Sequence, residues 1–165
     1  MTIIDGILVL IVLSIFIFAY WLYTRDTYIV RIKKNQIMEF KTSMELSGLP
    51  IITFYQGENA YNFLLDTGSN RSYINNKANI KVISTGAKST FMGSSGKDAD
   101  CERVNVIVYR NNLKYEHAMF AADLDTAFME LKKEYGVLIT GIIGCDFMDK
   151  YNYCLDFKEF VIYQR

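Results

Sequence analysis

Residues 61–69 read Tyr61-Asn62-Phe63-Leu64-Leu65-Asp66-Thr67-Gly68-Ser69, a hydrophobic run that ends abruptly at an acid, a hydroxyl and a glycine. An acid at the end of a buried strand is costly to desolvate, so it needs hydrogen-bond donors or a chemical task. Thr67 and Ser69 can supply hydroxyls, and Gly68 lets the backbone come close to the carboxylate. The stretch therefore predicts a strand that delivers Asp66 to a functional site.

The sequence around this stretch favours strands. A β-prone run at residues 51–55 follows Pro50, and residues 56–59 carry a turn signal before the strand at 60–65. Further strands are predicted at 104–109, 115–121 and 153–163. Helical spacing of apolar residues occurs once in this part of the chain, at Leu124, Phe128, Leu131 and Tyr135, and Gly136 ends it. The pattern is typical of a mainly β domain with one short inserted helix.

Composition excludes several function classes. The 165 residues include 18 basic and 18 acidic side chains, so no electrostatic footprint for nucleic acid is present. The three cysteines, Cys101, Cys145 and Cys154, are an odd number without metal-ligand spacing, which favours free thiols. We expect no metal and no cofactor.

The N-terminus predicts a membrane anchor. Residues 6–24 carry no charge and span roughly 28 Å as a helix, close to the thickness of the hydrocarbon core of a bilayer. Tyr20, Trp21 and Tyr23 suit an interfacial belt. We assign residues 1–24 to a transmembrane anchor, 25–43 to a juxtamembrane connector and 44–165 to the following domain. Basic residues lie only after the anchor, at Arg25, Arg31, Lys33 and Lys34, so we expect a single-pass protein with a cytoplasmic domain.

Residues 44–165 resemble the retropepsin-like aspartic proteases, whose protomer is a single-lobe β-barrel. Three segments carry the resemblance. They are Phe63-Leu64-Leu65-Asp66-Thr67-Gly68-Ser69, the glycine-bearing Met92-Gly93-Ser94-Ser95-Gly96, and Gly141-Ile142-Ile143-Gly144-Cys145-Asp146-Phe147.

The resemblance implies a role for each matching position. Asp66 would be the catalytic carboxylate, Thr67 would brace the loop across a dimer, and Gly68 would hold its backbone near the carboxylate. Ser69 would hydrogen-bond the outer carboxylate oxygen. The segment Ile142-Ile143-Gly144 would pack beside the loop, and Met92, Gly93, Ser94, Ser95 and Gly96 would lie at a flap over a polypeptide substrate. A flexible surface loop is an equal alternative for this last segment.

The chemistry of peptide hydrolysis sets the number of chains. Without a metal, one group must take a proton from water and another must give one, and two adjacent carboxylates that share a proton can do both. The sequence has one Asp-Thr-Gly, because Tyr28 follows Asp26-Thr27 and Ala127 follows Asp125-Thr126. An active enzyme would therefore be a homodimer with one Asp66 from each chain.

Three alternatives stay open from the sequence. The Asp66 stretch could be an ordinary strand-ending turn, the domain could be a non-catalytic peptide-binding or oligomerisation module of the same fold, or the chain could pair with a different single-lobe chain. His117, the only histidine, is expected to be a buried or edge residue of a strand. A serine triad is unsupported because no G-x-S-x-G motif is present.

Overall fold

The computed structural model describes residues 13–21, 36–92 and 98–165, with the side chains of 91–99 left aside. The chain divides into two units, Met1–Lys34 and Asn35–Arg165. In the first unit, residues 13–21 form helix α1. Within the described ranges, no helix is both long and apolar enough to cross a membrane. The other residues of the predicted anchor at 1–24 and residues 25–35 of the predicted connector lie outside the described residues.

The second unit is mainly β, as predicted. It contains ten strands and three helices among its described residues: β1 (Ile37–Glu39), α2 (Lys41–Ser47), β2 (Ile51–Gln56), β3 (Asn59–Leu65), β4 (Tyr73–Asn75), β5 (Val82–Met92), β6 (Asp98–Arg110), β7 (Leu113–Ala122), α3 (Asp125–Tyr135), β8 (Gly141–Ile143), α4 (Cys145–Lys150), β9 (Tyr153–Asp156) and β10 (Val161–Gln164).

Six strands close into a barrel. The larger sheet has the order β2-β3-β8-β4-β7-β6-β5, and an additional β2–β6 pairing joins Tyr55 to Tyr109. That pairing completes a ring of β2, β3, β8, β4, β7 and β6, from which β5 extends as an outer strand. Closure leaves few open strand edges, and it places the end of β3 beside β8. The predicted β-barrel is confirmed.

A smaller sheet moves the boundary of the domain. Its order is β1-β10-β9, and Met38 of β1 pairs with Ile162 of β10. Met38 and Phe40 are both buried in the core. The folded unit therefore includes Met38 and Phe40, which lie within the predicted connector at 25–43. Charged residues flank this short apolar run, so the sequence gives no clear signal for a strand here.

Three helices stand where one inserted helix was predicted. α3 matches the predicted helix, and Gly136 ends it in the left-handed conformation with a φ of 71°. α4 follows the segment Gly141–Gly144, and α2 was not predicted. α2 has no fully buried residue and no acidic residue in its first turn, so its sequence lacks both an apolar stripe and a helix start signal. α3 packs through Phe128 onto a small cluster with Ile51 and Ile139.

An aromatic core links the hairpin that carries Asp66 to α4. The Phe54 ring lies 5.7 Å from Phe63, 5.4 Å from Tyr115 and 5.8 Å from Phe147, measured between centroids. These rings come from β2, β3, β7 and α4, and they meet edge to face, the arrangement that aromatic pairs prefer. The core therefore fixes α4 against the strands on either side of the predicted site.

The hairpin of β6 and β7 turns at a two-residue loop, and one of its residues gives a test of the fold. Asn111 and Asn112 both have positive φ, at 51° and 63°, as a type I′ turn requires. Asn112→Val is expected to lower the free energy of unfolding by about 1–2 kcal/mol, because a β-branched residue is strained there. Urea unfolding measures the loss. Asn112→Gly is the matched control and should be no less stable, and an unaffected Val variant would contradict the turn geometry.

The hairpin of β5 and β6 contains the predicted flap segment. Its pairing runs to Met92 and Asp98, with a register shift between Ser84 and Lys88. Residues 93–97 lie outside the described residues, so the structure reports the strands that lead to the predicted tip and not Gly93, Ser94, Ser95 or Gly96. The predicted role of Met92 and these four residues stays a prediction.

Candidate active site

β3 delivers Asp66 to the end of the barrel strand. Along β3, Phe63 and Leu65 point into the core, and the strand ends at the half-buried Asp66. The backbone N–H of Leu65 donates to Pro50 O over 2.8 Å, and that of Asp66 donates to Ile143 O over 3.0 Å. Asp66 is therefore held from both sides at the strand end, where the sequence placed it.

The loop after Asp66 folds back onto its carboxylate. The backbone N–H of Gly68 donates to Asp66 Oδ1 over 2.9 Å, and that of Ser69 donates to Asp66 O over 3.2 Å. A Cβ at Gly68 would lie 3.1 Å from the same Oδ1, which is a tight contact. Glycine therefore allows the close approach that the sequence predicted, and one carboxylate oxygen is oriented by the chain itself.

β8 and the glycine after it support this loop from behind. β8 runs parallel to β3 and pairs Ile142 with Leu64 and Ile143 with Leu65. A Cβ at Gly144 would lie 2.5 Å from Arg71 O and 2.8 Å from Ser69 O, so only glycine fits. The next residue, Cys145, donates its N–H to Ser69 O over 2.9 Å. The structure thus brings Ile142, Ile143 and Gly144 together with the Asp66 loop.

Ser69 and Thr67 of the loop make different contacts. Ser69 Oγ donates to Arg71 O over 2.7 Å, so the bond to the Asp66 carboxylate expected from the family resemblance is not formed. The reason is local, because the turn at 69–71 brings the Arg71 carbonyl within reach. Thr67 is exposed, and its carbonyl accepts a weak bond from Cys145 Sγ at 3.4 Å.

An apolar recess lies next to the loop. Asp66 and Thr67 form part of its wall, and Met148 of α4 and Leu155 of β9 form the rest with neighbouring backbone. Met148 and Leu155 are half-buried and pack against the main core. Apolar side chains of α4 and β9 therefore border the Asp66 loop on this side.

Behind Gly144 lies a chain of polar contacts between residues that are far apart in the sequence. Gly144 N donates to Ser72 Oγ over 3.0 Å, and Ser72 Oγ donates to Asp146 Oδ1 over 2.6 Å. His117 Nε2 lies 3.3 Å from Asp146 Oδ2. The imidazole is not aligned for a directional hydrogen bond, so its contact with Asp146 is electrostatic. We call the four residues Gly144, Ser72, Asp146 and His117 the loop support.

The loop support lowers the pKa of Asp146. Partial burial raises the pKa of this carboxyl, but the imidazole of His117 and the hydrogen bonds from Ser72 outweigh burial, so the pKa lies below its usual value. The burial of His117 was expected, because it alternates with Tyr115 and Met119 on the inner face of β7. The spacing of residues in the sequence does not reveal that Asp146 is the neighbour of His117. Asp146 lies in the first turn of α4, after Gly144 at the N-cap position.

The lowered pKa of Asp146 predicts a sensitivity to acid. A carboxyl with a depressed folded-state pKa contributes stability above its unfolded value, about 3.9, and this stability is lost as the pH falls through the folded-state value. Asp146→Asn is therefore expected to be less stable than the unmodified chain at neutral pH, and to lose less stability between about pH 4 and lower pH. Urea unfolding across that range measures both. Parallel acid limbs for the two chains would contradict the assignment.

Of the comparisons with known proteins, the one with solved structures found a similarity. No family model matches the sequence. No curated protein matches it either. Among solved structures, the chain is similar to the EIAV protease complexed with the inhibitor HBY-793, with 17% sequence identity and a TM-score of 0.42. That match covers 62% of this chain and 86% of the protease chain.

Proposed function

We propose that this protein is an aspartic endopeptidase of retropepsin type, which hydrolyses peptide bonds with a water activated between two Asp66 carboxylates of a homodimer. One observation carries the proposal. Asp66 ends a barrel strand in a loop whose own backbone N–H, from Gly68, orients the carboxylate at 2.9 Å. The Asp66 carboxylate is half-buried and forms no ion pair with a basic side chain among the described residues. A carboxylate fixed in this way is suited to proton transfer rather than to a structural ion pair.

The second carboxylate has to come from another chain. Asp125-Thr126, which lacks the glycine, lies in the first turn of α3, where Lys77 Nζ approaches the Asp125 carboxylate to 3.7 Å. That acid is committed to a surface ion pair. Two carboxylates brought close together cannot both ionise, so they share a proton and supply the base and the acid that hydrolysis needs.

The exposure of Thr67 beside Asp66 supports a second copy of the chain as the partner. A copy that meets this loop by two-fold symmetry would bring its own Asp66 to the same place. Thr67, exposed in the single chain, would then meet its symmetry mate. Met148 and Leu155 would supply apolar area to the contact.

We further propose that residues 6–24 anchor the enzyme in a membrane with the protease unit on the cytoplasmic side. The support is the uncharged apolar run and the four basic residues that follow it. An anchor confines protomers to two dimensions, which raises their effective concentration for a weak dimer. Polypeptide segments near the membrane would be the favoured substrates.

The test compares the purified chain with Asp66→Asn for cleavage of a peptide library, with products identified by mass spectrometry. Loss of all cleavage in the variant supports the mechanism. Cleavage that survives the substitution would assign the activity to another group or to a contaminant.

A non-catalytic peptide-binding module of the same fold is the second candidate. The exposed β5 edge favours it, because every residue from 82 to 90 is exposed and an open edge can accept an extended peptide as an added strand. The same library decides between the two, since a binding module would retain peptides on the immobilised chain without cutting them. The Asp66→Asn chain would then bind as well as the unmodified chain.

A further inference from the structure

The loop support connects a buried histidine to the backbone of the predicted catalytic loop. We propose that His117 is a positioning residue for the Asp66 loop, acting through Asp146 and Ser72 on the backbone of Gly144. The kinetic consequence of this proposal rests on the proposed function, whereas the positioning itself does not.

The Ser72 hydroxyl uses both its acceptor and its donor within the loop support. Its side chain is fully buried, and its hydroxyl accepts from Gly144 N while donating to Asp146 Oδ1. Phe147 N also donates to Asp146 Oδ1, over 2.8 Å, which fixes the carboxylate relative to α4. A buried hydroxyl with both functions satisfied specifies one arrangement of the groups it joins.

Gly144 cannot move without also moving the Asp66 loop. Its α-carbon is packed against the backbone of Ser69 and Arg71 so closely that even a methyl group would overlap them. The N–H of Cys145 then bonds Ser69 O, three residues after Asp66. A displacement of Gly144 is therefore passed to the turn that orients the Asp66 carboxylate, because a packed interior transmits strain.

His117 contacts the Asp146 carboxylate from β7. His117 is 5% exposed, and its ring packs edge to face on Phe147 at 5.3 Å. Its Nδ1 is buried without a hydrogen-bond partner among the described residues, so Asp146 is its close polar neighbour. The position of the imidazole therefore affects how strongly Asp146 accepts from Ser72.

In the described part of the chain, few other titratable groups lie near the His117 imidazole. Tyr151, at the end of α4, lies 6.3 Å from the ring and uses its hydroxyl on the Glu116 backbone. Tyr73 of β4 lies within electrostatic range of Asp146. Glu116, the neighbour of His117 in β7, is exposed on the opposite face and pairs with Lys114. Asp146 is thus the only carboxylate within ion-pair distance of His117 in the described part of the chain.

The test uses the amide resonances of glycine in the full chain. The chain has ten glycines, so selective ¹⁵N-glycine labelling gives a spectrum of at most ten backbone peaks. Gly144 is the only glycine that follows an isoleucine, so carbonyl labelling of isoleucine identifies its peak. Gly68 is identified among the three glycines that follow threonine by its loss in Gly68→Ser. Gly136, at the end of α3, serves as a reference.

The expected result is a coupling that depends on Ser72. His117→Gln should shift the Gly144 and Gly68 peaks and leave Gly136 in place. In the Ser72→Ala background, the same His117→Gln change should no longer move Gly68. Glu116→Gln, a charge change on the same strand, should move neither peak. Unshifted Gly144 and Gly68 peaks in His117→Gln, or a shift that persists without Ser72, would overturn the proposal.

Kinetics on a peptide found by the library add a functional measurement. A loop displaced from its working geometry is expected to lower kcat by roughly ten- to a hundredfold with little change in KM. An unchanged kcat in His117→Gln would place His117 outside the catalytic geometry. If Asp66→Asn retains cleavage, the proposed function fails, whereas the glycine shifts still decide whether His117 positions the loop.

Discussion

Asp66→Asn is expected to lower kcat/KM for peptide cleavage by about a thousandfold or more, because it removes a group that must exchange protons in the transition state. Asparagine has nearly the same shape, and its carbonyl oxygen can still accept from Gly68 N, the bond of 2.9 Å that orients Asp66. The free energy of unfolding should therefore change little. A variant that loses activity and keeps its unfolding midpoint would assign the loss to chemistry. Asp125→Asn is the matched control, since it makes the same change at an acid of α3 that pairs with Lys77.

Mixtures of the two chains then test how many copies form one site. At a saturating total concentration, equal amounts of unmodified and Asp66→Asn chains associate at random, so about a quarter of the dimers carry two Asp66 residues. Activity should fall to about a quarter of that of the unmodified chain at the same total concentration. A fall to about half would mean that each chain works alone and would contradict the shared carboxylate pair.

Local patterns in the sequence predicted the part of the fold that positions Asp66. The hairpin of β2 and β3 has strand-forming runs on both sides of a Gly57 turn, and β3 ends where the apolar run ends. α3 was equally accessible, because its apolar spacing and the stop at Gly136 are both local signals. These elements agree with their local propensities, so the pattern sufficed.

Long-range contacts explain what the sequence did not predict. β1 is a strand only because β10, at the other end of the chain, pairs with it. Ser72 and Asp146 are 74 positions apart, and no spacing rule connects them. His117 could be placed inside the barrel by alternation along β7, whereas its carboxylate neighbour depends on how α4 packs on the aromatic core. Tertiary packing, rather than propensity, decides each of these cases.

Gly144→Ala is expected to have the second largest effect, and it acts through space rather than through backbone strain. Gly144 has φ −96° and ψ −173°, an extended conformation that any residue adopts. The added methyl group, however, would lie 2.5 Å from Arg71 O, 2.6 Å from Arg71 C and 2.8 Å from Ser69 O. These are backbone atoms that cannot rotate away, so we expect a loss of about 3 kcal/mol in the free energy of unfolding. Peptide cleavage should also fall, because the loop that carries Asp66 must move.

Gly136→Ala separates this steric cost from the general effect of replacing a glycine. Gly136 has a φ of 71° and no atom within 4 Å of an added Cβ, so its substitution costs only the left-handed strain, about 1–2 kcal/mol. Urea unfolding should therefore rank Gly144→Ala below Gly136→Ala in stability, and only the Gly144 variant should lose cleavage beyond its loss of folded protein. Equal stability with full cleavage in both variants would mean that the backbone of 69–71 yields without consequence. In that case the contact between β8 and the Asp66 loop would be a packing feature and not a support of the site.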